Sequence, residues 1–552
     1  MADPGPATTV PLSGPGDGIP RARHPFGFSS AGVFVATTLV QIAGFAGSVF
    51  LYKFVGISAQ GQALLGTIQL FLLIATSISS VGDLRIGSAY TFFVARGKAA
   101  ADLTGTYVVL RFAIAGAAAL LILALAPVPI QGQTLVSSAE LFEILAAILA
   151  LPILWSVPAV FTQLFVAQGD SVKAQYPGLV EAAVRTPLLL VAAIYSPTLW
   201  SIAVAYLAGA AVSAAYCLPA VLPQMSRYRA SEARRMFRFA WPLMGSLGLT
   251  YLVTNSVPFI VDAVAGVREF NIFNAANGFR LVALSLAGAI ATPLFPLISG
   301  LHQRRAYDDV RTQTVRTLRY ALMIVVPVSV ALAIYRTDLL RVFTTPGYLP
   351  GSDALAVLAL SVVPASLTAL IFTSLVAVGR QRLELYIAAI QTVTLFGVAF
   401  LLVGLPGSLG AGGVLLSASI AVLTSSIVGL AANFYFLWAI MSVRLSLRST
   451  GGIAAAGGLG VAAGFLVDIP LSSDPLLHLL IGVLVGWLAF VLLLAAIGEL
   501  AKSDVRILAG SLRIPQPFAR LVARLCWRAT PPDSLYPIAG EPTRLEEPGH
   551  GL

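Results

Sequence analysis

Apolar runs long enough to cross a bilayer alternate with short charged or Gly- and Pro-bearing breaks along almost the whole chain. A helix needs about 20 apolar residues to cross a hydrocarbon core roughly 30 Å thick. Segmenting on that length predicts spans near 28–50, 62–81, 104–126, 141–167, 177–196, 199–222, 237–261, 270–299, 317–335, 353–378, 384–405, 411–440, 451–468 and 475–498. The runs are continuous, whereas a transmembrane barrel would show alternating segments of about ten residues. The pattern predicts an all-α polytopic membrane protein with about 14 transmembrane helices. Three spans carry the weakest signals: the pair 177–222 is divided only by Tyr195, Ser196, Pro197 and Thr198, and the thirteenth span is rich in glycine.

Composition supports this. Of 552 residues, 58% are hydrophobic and 11% charged, and the mean hydropathy is +0.88. A soluble domain carries about 25% charged residues, so a soluble enzyme, a disordered chain and a nucleic-acid-binding module are excluded. The net charge of +10 comes from short basic clusters between spans. Assigned to alternate sides, 27 Lys and Arg fall on the side of the N-terminus and its tail, against Lys53, Arg268, Arg336 and Arg341, 4 in all, on the other. The positive-inside rule then places both termini in the cytoplasm and the chain in the cytoplasmic (inner) membrane. Residues 1–27 read as a disordered cytoplasmic N-terminus, and the first run lacks a small-residue cleavage site after it, so it reads as an uncleaved span. Residues 499–552 form a basic cytoplasmic tail with Arg506, Arg513, Arg520, Arg524 and Arg528 among bulky apolar residues. Two readings stand for it: an amphipathic segment on anionic lipid, or a solvated tail broken at Pro515 and Pro517.

The chain also repeats itself. "KFVGISAQGQALLG" aligns with "AVAGVREFNIFNAANG", pairing Gly56 with Gly266; a second alignment pairs Gly169 with Gly379, and a third pairs Arg111 with Arg319. The offsets are 210, 210 and 208, nearly one register. Six helices separate equivalent positions, so both copies run the same way through the bilayer and imply a pseudo-two-fold axis along the membrane normal. This divides the chain into an N-lobe at 28–222 (spans 1–6), a C-lobe at 223–440 (spans 7–12) and an added helix pair at 451–498.

Several stretches resemble one family. "AGFAGSVFLYKFVGISAQGQALLG…SVGDLRIGSAYTFFVARGK" is similar to the N-terminal region of polysaccharide and oligosaccharide flippases. "FRFAWPLMGSLGLTYLVTNSVPFIVDAVAGVREFNIFNAANGFRLVAL" looks like the start of their second lobe, and "RTDLLRVFTTPGYLPGSDALAVLALSVV…VAVGRQRLELY" like their ninth-to-eleventh helix region. The resemblance covers about residues 28–440 and points to the O-antigen type flippases of the multidrug/oligosaccharidyl-lipid/polysaccharide (MOP) exporter superfamily. It implies 14 helices, cytoplasmic termini, and a two-lobed carrier working by alternating access.

Charges at bilayer depth nominate candidate substrate-binding residues, since each costs at least about 2.5–3.5 kcal/mol at a helix centre and needs a partner or a wet cavity. Arg280 lies near mid-depth in the eighth span, with Asn271, Asn274 and Asn277 preceding it at helical spacing. It reads as an anion-binding cavity wall, or as one half of a buried pair with Asp262 or Asn255. Asp83 and Arg85 close the second span; they could receive a phosphate at a cavity mouth, or Arg85 could snorkel to the headgroups. Glu181 and Arg185, four apart, can neutralise one another or stand behind the cavity. Asn255 and Pro258 suggest a hinge or site wall. The repeat mates Arg111 and Arg319 read as helix anchors.

The sequence has no GxxxxGK[ST] phosphate loop and no HExxH metal motif, so neither a cofactor nor an enzymatic activity is expected. The reading that follows is a transporter that flips a polyprenyl-diphosphate-linked oligosaccharide for cell-surface polysaccharide biosynthesis, with the lipid bilayer, a polysaccharide polymerase and glycosyltransferases as partners and no nucleic acid. Alternatives are a MATE-like drug/cation antiporter, which would need membrane carboxylates, and a peptidoglycan-precursor (lipid II) flippase, whose first spans carry basic residues that positions 31–50 lack. A polymerase or ligase would be expected to present a larger outer loop than 336–352.

Overall fold

The computed structural model describes residues 26–502 apart from 84, 96–98, 129–135, 137, 171, 381, 404–410, 444–445 and 469–473, together with 505, 523–524, 526 and 528. The N-terminal segment expected at 1–27, except its last two residues, and Arg506, Arg513 and Arg520 of the tail lie outside the described residues.

The first half of the chain comprises α1 (Phe26–Phe54), α2 (Ala59–Gly82), α3 (Ile86–Ala95), α4 (Ala100–Leu125), α5 (Ala139–Ile148), α6 (Leu151–Leu154), α7 (Ser156–Ala167), α8 (Tyr176–Tyr195) and α9 (Leu199–Val221). The second half comprises α10 (Ala230–Ala265), α11 (Val267–Gln303), α12 (Tyr307–Ile334), α13 (Arg336–Phe343), α14 (Ser352–Ala377), α15 (Arg382–Val403) and α16 (Ala411–Met441). The hairpin α17 (Leu447–Asp468) and α18 (Pro475–Ile497) follows. Thirteen described helical segments are long and apolar enough to cross a membrane, and the remaining expected span, 270–299, falls on the 37-residue α11. Helices suit lipid because they satisfy their own backbone groups where no water can. Below, the face where α1 begins is the near face, and the face where it ends is the far face.

The expected boundaries needed three corrections. The span at 141–167 is three helices, because the chain breaks around Ala150 and Trp155, next to Pro152 and Pro158. An unpredicted helix, α3, follows the second span. The segment 336–352, expected as a loop, is largely helical: α13 and a 3-10 turn at Pro346–Gly351 fill it. The doubtful pair at 177–222 is two helices, with Thr198 capping α9 through a reciprocal pair of bonds with Ser201.

Two repeat mates share one geometry. Gly169 and Gly379 have φ +81° and +86°, the left-handed conformation that favours glycine. Behind each, the next amide reaches back five residues to a carbonyl: Asp170 to Phe165 and Arg380 to Leu375. Both helices therefore end in the same C-terminal motif, at the offset of 210 read from the sequence. Gly266 also has positive φ, while its mate Gly56 does not.

The glycine-rich thirteenth span is explained by its partner. A Cβ on Gly464 would stand 2.2 Å from the Gly482 carbonyl oxygen, and one on Gly460 would stand 2.8 Å from the Phe490 nitrogen. Small residues at spacing four let helix backbones approach in lipid, where packing rather than water exclusion drives association. The hairpin packs on α12 and α13, and Cys526 of the tail is buried in the same cluster as Leu318, Met441, Leu494 and Leu500.

Candidate functional site

The two halves meet most closely around α11, which packs against α1 and α2 as well as α10, α12 and α14. At the far face a hydrogen-bond network whose acceptors are all neutral joins them. The Gly56 carbonyl accepts from Thr345 Oγ1 at 3.0 Å and Gln62 Nε2 at 3.2 Å. Asn271 Nδ2 donates to the Gln62 carbonyl at 2.9 Å and to the Tyr348 hydroxyl at 2.8 Å. Arg268 Nε donates to Gln62 Oε1 at 3.0 Å, and Lys53 Nζ donates to the Arg341 carbonyl at 3.0 Å. Gly66 lies so close to α11 that a Cβ would stand 2.3 Å from the Val267 carbonyl oxygen. Beneath the network, Phe45 of α1, Phe279 of α11 and Phe343 of α13 form a ring cluster with centroids 4.8 to 5.9 Å apart. Among the described residues these contacts close α1 and α2 against α11 and α13 at the far face.

From that seal the asparagines of α11 descend into the molecule at spacing three. Asn274 donates to Gln69 Oε1 of α2 at 3.2 Å, and Asn277 Oδ1 accepts from Arg280 Nη1 at 3.3 Å. Arg280 lies about 20 Å along α11 from its far end, at a rise of about 1.5 Å per residue. Its side chain turns toward α14, where Nε donates to Ser361 Oγ at 2.8 Å, and the residue is 8% exposed. No carboxylate among the described residues forms an ion pair with it. The pairing with Asp262 or Asn255 is therefore corrected: Asp262 sits in the last turn of α10 at the far end, and Asn255 donates to the Tyr251 carbonyl at 3.4 Å. Helix α10 continues unbroken through Pro258.

At the near face Asp83 is a hub. It accepts from the Tyr107 hydroxyl at 2.8 Å, from Arg111 Nη1 at 2.5 Å and from the Gly87 amide at 3.3 Å. The last of these supports the start of α3, where backbone donors lack helical partners. Arg85, with φ +57°, does not snorkel. It reaches across to the second half and pairs with Glu384 of α15 at 2.7 Å. Phe92 and Phe93 of α3 pack on Phe239 of α10, and the Ser77 and Tyr251 hydroxyls meet between α2 and α10. Beside Asp83 lies an open depression of about 350 Å³ lined by Ser79, Ser80, Arg111, Ala159, Thr162 and Gln163.

Glu181 and Arg185 pair at 2.7 Å with side chains 15% and 18% exposed. Arg185 also lies over the Tyr206 ring at 5.2 Å and near Gly44 of α1. They bond to each other within α8 and are not linked to Arg280. Arg111 and Arg319 do hold helices, but Arg319 is a buried residue inside α12, not a loop charge as the side-by-side count assumed. Ser361, Gln62, Gln69, Tyr348 and Glu384 were missed by sequence reasoning. They are common polar types at unremarkable spacings, and only Glu384, an acid directly beside an apolar span, carried a readable signal.

A family model described as "Polysaccharide biosynthesis protein" matches residues 94–353, just under half of the chain. A comparison with curated protein sequences gave no match. Among solved structures, the chain is similar to the lipid II flippase MurJ in an inward closed conformation, with TM-score 0.67 and 15% identity over 84% of this chain and 98% of that one. It is also similar to a MATE protein in complex with MaL6 (TM-score 0.59, 16% identity, 77% and 99% covered). A MOP superfamily transporter from Pyrococcus furiosus scores 0.59 at 15% identity, with 78% and 100% covered. The chain has the MOP transporter fold. These relatives are flippases and transporters, not enzymes, and the MOP fold accounts for the two packed halves joined at α1, α2 and α11.

Proposed function

We propose that this MOP protein flips a polyprenyl-diphosphate-linked oligosaccharide from the cytoplasmic to the outer leaflet for cell-surface polysaccharide biosynthesis. The near face is the cytoplasmic one, and a polysaccharide polymerase and glycosyltransferases act before and after it. One observation carries the reading: at mid-depth in the membrane, the charge with no oppositely charged partner among the described residues is positive. Asp83, Glu181, Glu384 and Glu499 each face an arginine, while Arg280 is held by a hydroxyl and an amide alone. A buried guanidinium without a carboxylate is costly, and an arriving diphosphate relieves that cost with two parallel hydrogen bonds. The MATE-like alternative needs free carboxylates deep in the membrane to exchange for cations; the acids bound to arginine argue against it, and the unpaired Asp262 stands only in the last turn of α10, at the far end. The lipid II alternative is weakened because α1 has no basic residue before Lys53, whose amine is taken up in the far-face seal.

In this mechanism the headgroup enters between the halves from the near face, reaches Arg280 and the α11 amides, and leaves when the far-face network parts. The lipid tail stays in hydrocarbon throughout. Reconstitution tests the reading: vesicles containing the protein should expose a lipid-linked oligosaccharide to an external lectin faster than empty vesicles. No acceleration, together with efflux of a cationic dye, would establish the antiporter instead.

A further inference from the structure

The near-face contact between Arg85 and Glu384 has a geometry that a helix anchor does not require. Asp83 fixes the break between α2 and α3: its carbonyl accepts from the Ile86 amide at 2.7 Å, its carboxylate holds Gly87, Tyr107 and Arg111, and the Ala89 amide closes the first turn of α3 on the Arg85 carbonyl at 3.2 Å. Arg85 therefore projects from a rigid corner of the first half, in a left-handed backbone conformation that L side chains rarely adopt. Its partner stands in the first turn of α15, in the second half. The two side chains differ sharply in access, with Arg85 31% exposed and Glu384 7% exposed. Among the described residues two ion pairs join the halves at the near face: Arg85–Glu384 at 2.7 Å, and Arg229–Asp102 at 3.5 Å with both side chains more than half exposed, at the start of α10 where the chain itself passes from one half to the other. Asp83–Arg111 lies within the first half.

We infer that Arg85 and Glu384 form a latch that an anionic headgroup opens by taking Arg85 from Glu384. This rests on the flippase reading and adds how that substrate is admitted. The exposed guanidinium is the group an approaching diphosphate meets, and phosphate oxygens accept its planar fork in two parallel bonds where Glu384 receives one. The exchange replaces one anion with another on Arg85, so the cation is never left bare. Glu384, on the other half, then separates from Arg85 and the near face parts. The open depression beside Asp83 presents Ser79, Ser80, Thr162 and Gln163 as polar partners for the attached sugar at the same corner. Arg111 stays on Asp83, so the corner keeps its shape while Arg85 changes partners.

Spin labels at Ala101→Cys and Arg382→Cys, both exposed near-face positions on opposite halves, read the latch directly in vesicles containing the full chain. Cys217 and Cys526 are buried and do not compete for label. Without ligand, Arg85→Ala and Glu384→Gln should each raise the long-distance population about threefold or more. The exchange variant Arg85→Glu with Glu384→Arg should return it to the wild-type value, which a merely misfolded single variant would not allow. Farnesyl diphosphate should lengthen the distance in the wild-type chain and in Arg280→Ala, but add nothing to Arg85→Ala. An unchanged distance in both single variants overturns the latch, and a wild-type distance indifferent to farnesyl diphosphate overturns its release by an anion. Because these distances need no transport, they separate failure of the latch from failure of the flippase reading, which the lectin assay decides.

Discussion

Arg319 and Glu499 lie 180 positions apart and meet inside the second half, 2% and 7% exposed at their side chains. Arg319 Nε stands 3.7 Å from Glu499 Oε2, its Nη2 donates to the Glu499 carbonyl, and Ser449 Oγ donates to Glu499 Oε2 at 2.6 Å. In the first half the mate of Arg319, Arg111, finds its carboxylate locally on Asp83. At the offset of 210 from Asp83 the second half has Pro293, and the hairpin α17–α18 delivers the missing acid from beyond the repeat. Breaking such a pair strands a buried charge and costs about 3–5 kcal/mol. Glu499→Gln should lower the unfolding temperature in detergent markedly, while Arg319→Met with Glu499→Leu should recover most of the loss. An undisturbed melting temperature in Glu499→Gln would show the contact to be incidental.

Arg280 separates stability from transport. No carboxylate is stranded by its removal, so Arg280→Ala should reach wild-type abundance within the cost of two hydrogen bonds, about 1–2 kcal/mol. Arg280→Lys keeps the charge but loses the planar fork. Flipping by either variant, measured by lectin access to lipid-linked glycan, should fall about tenfold or more, the equivalent of about 1.4 kcal/mol. Full transport by Arg280→Ala would remove the residue from the substrate path.

Gly66 controls the far seal. A methyl group there would collide with the Val267 backbone, which cannot yield as a side-chain tip can. Gly66→Ala should push α2 from α11, part the Gln62–Asn271 network, and make a reporter at Asn274→Cys react faster with an impermeant maleimide. A reporter as slow in Gly66→Ala as in its absence would show that the seal tolerates the displacement.

Sidedness is open to a direct check. Exposed single cysteines at Ser58 and Ser196 lie on the far face, and those at Ser231 and Gln303 on the near face. In intact cells the first pair should be labelled by an impermeant reagent and the second pair protected. The reverse pattern would invert the proposed direction of transport.

Hydropathy made the helices legible because each crossing must be long, apolar and internally bonded. The pairing of Gly169 with Gly379 was legible because both glycines perform the same local task at a helix end. Breaks within a span were harder to read: Pro152 and Pro158 lie in an apolar stretch whose average hides the interruption. Arg280 and the amides preceding it stood out as polar residues at helical spacing, but their partners did not. Ser361 is 81 positions from Arg280 and Glu384 is 299 from Arg85, and nothing in the local pattern of a serine or a helix-start glutamate announces a contact at such separation.

The two faces are closed by different chemistry. Between the halves, the far-face seal is made of amides, hydroxyls, carbonyls and rings, and its cations, Lys53 and Arg268, bond to neutral oxygens. The near-face latch is an ion pair with one partner one-third exposed. Dissolved salt screens charge pairs within reach of water over a Debye length of about 8 Å at 0.15 M and about 3 Å at 1 M, and has far less hold on neutral hydrogen bonds. Ionic strength therefore bears more on the near-face contact between the halves than on the far-face one, and rising salt should tilt the protein toward a near-face-open form.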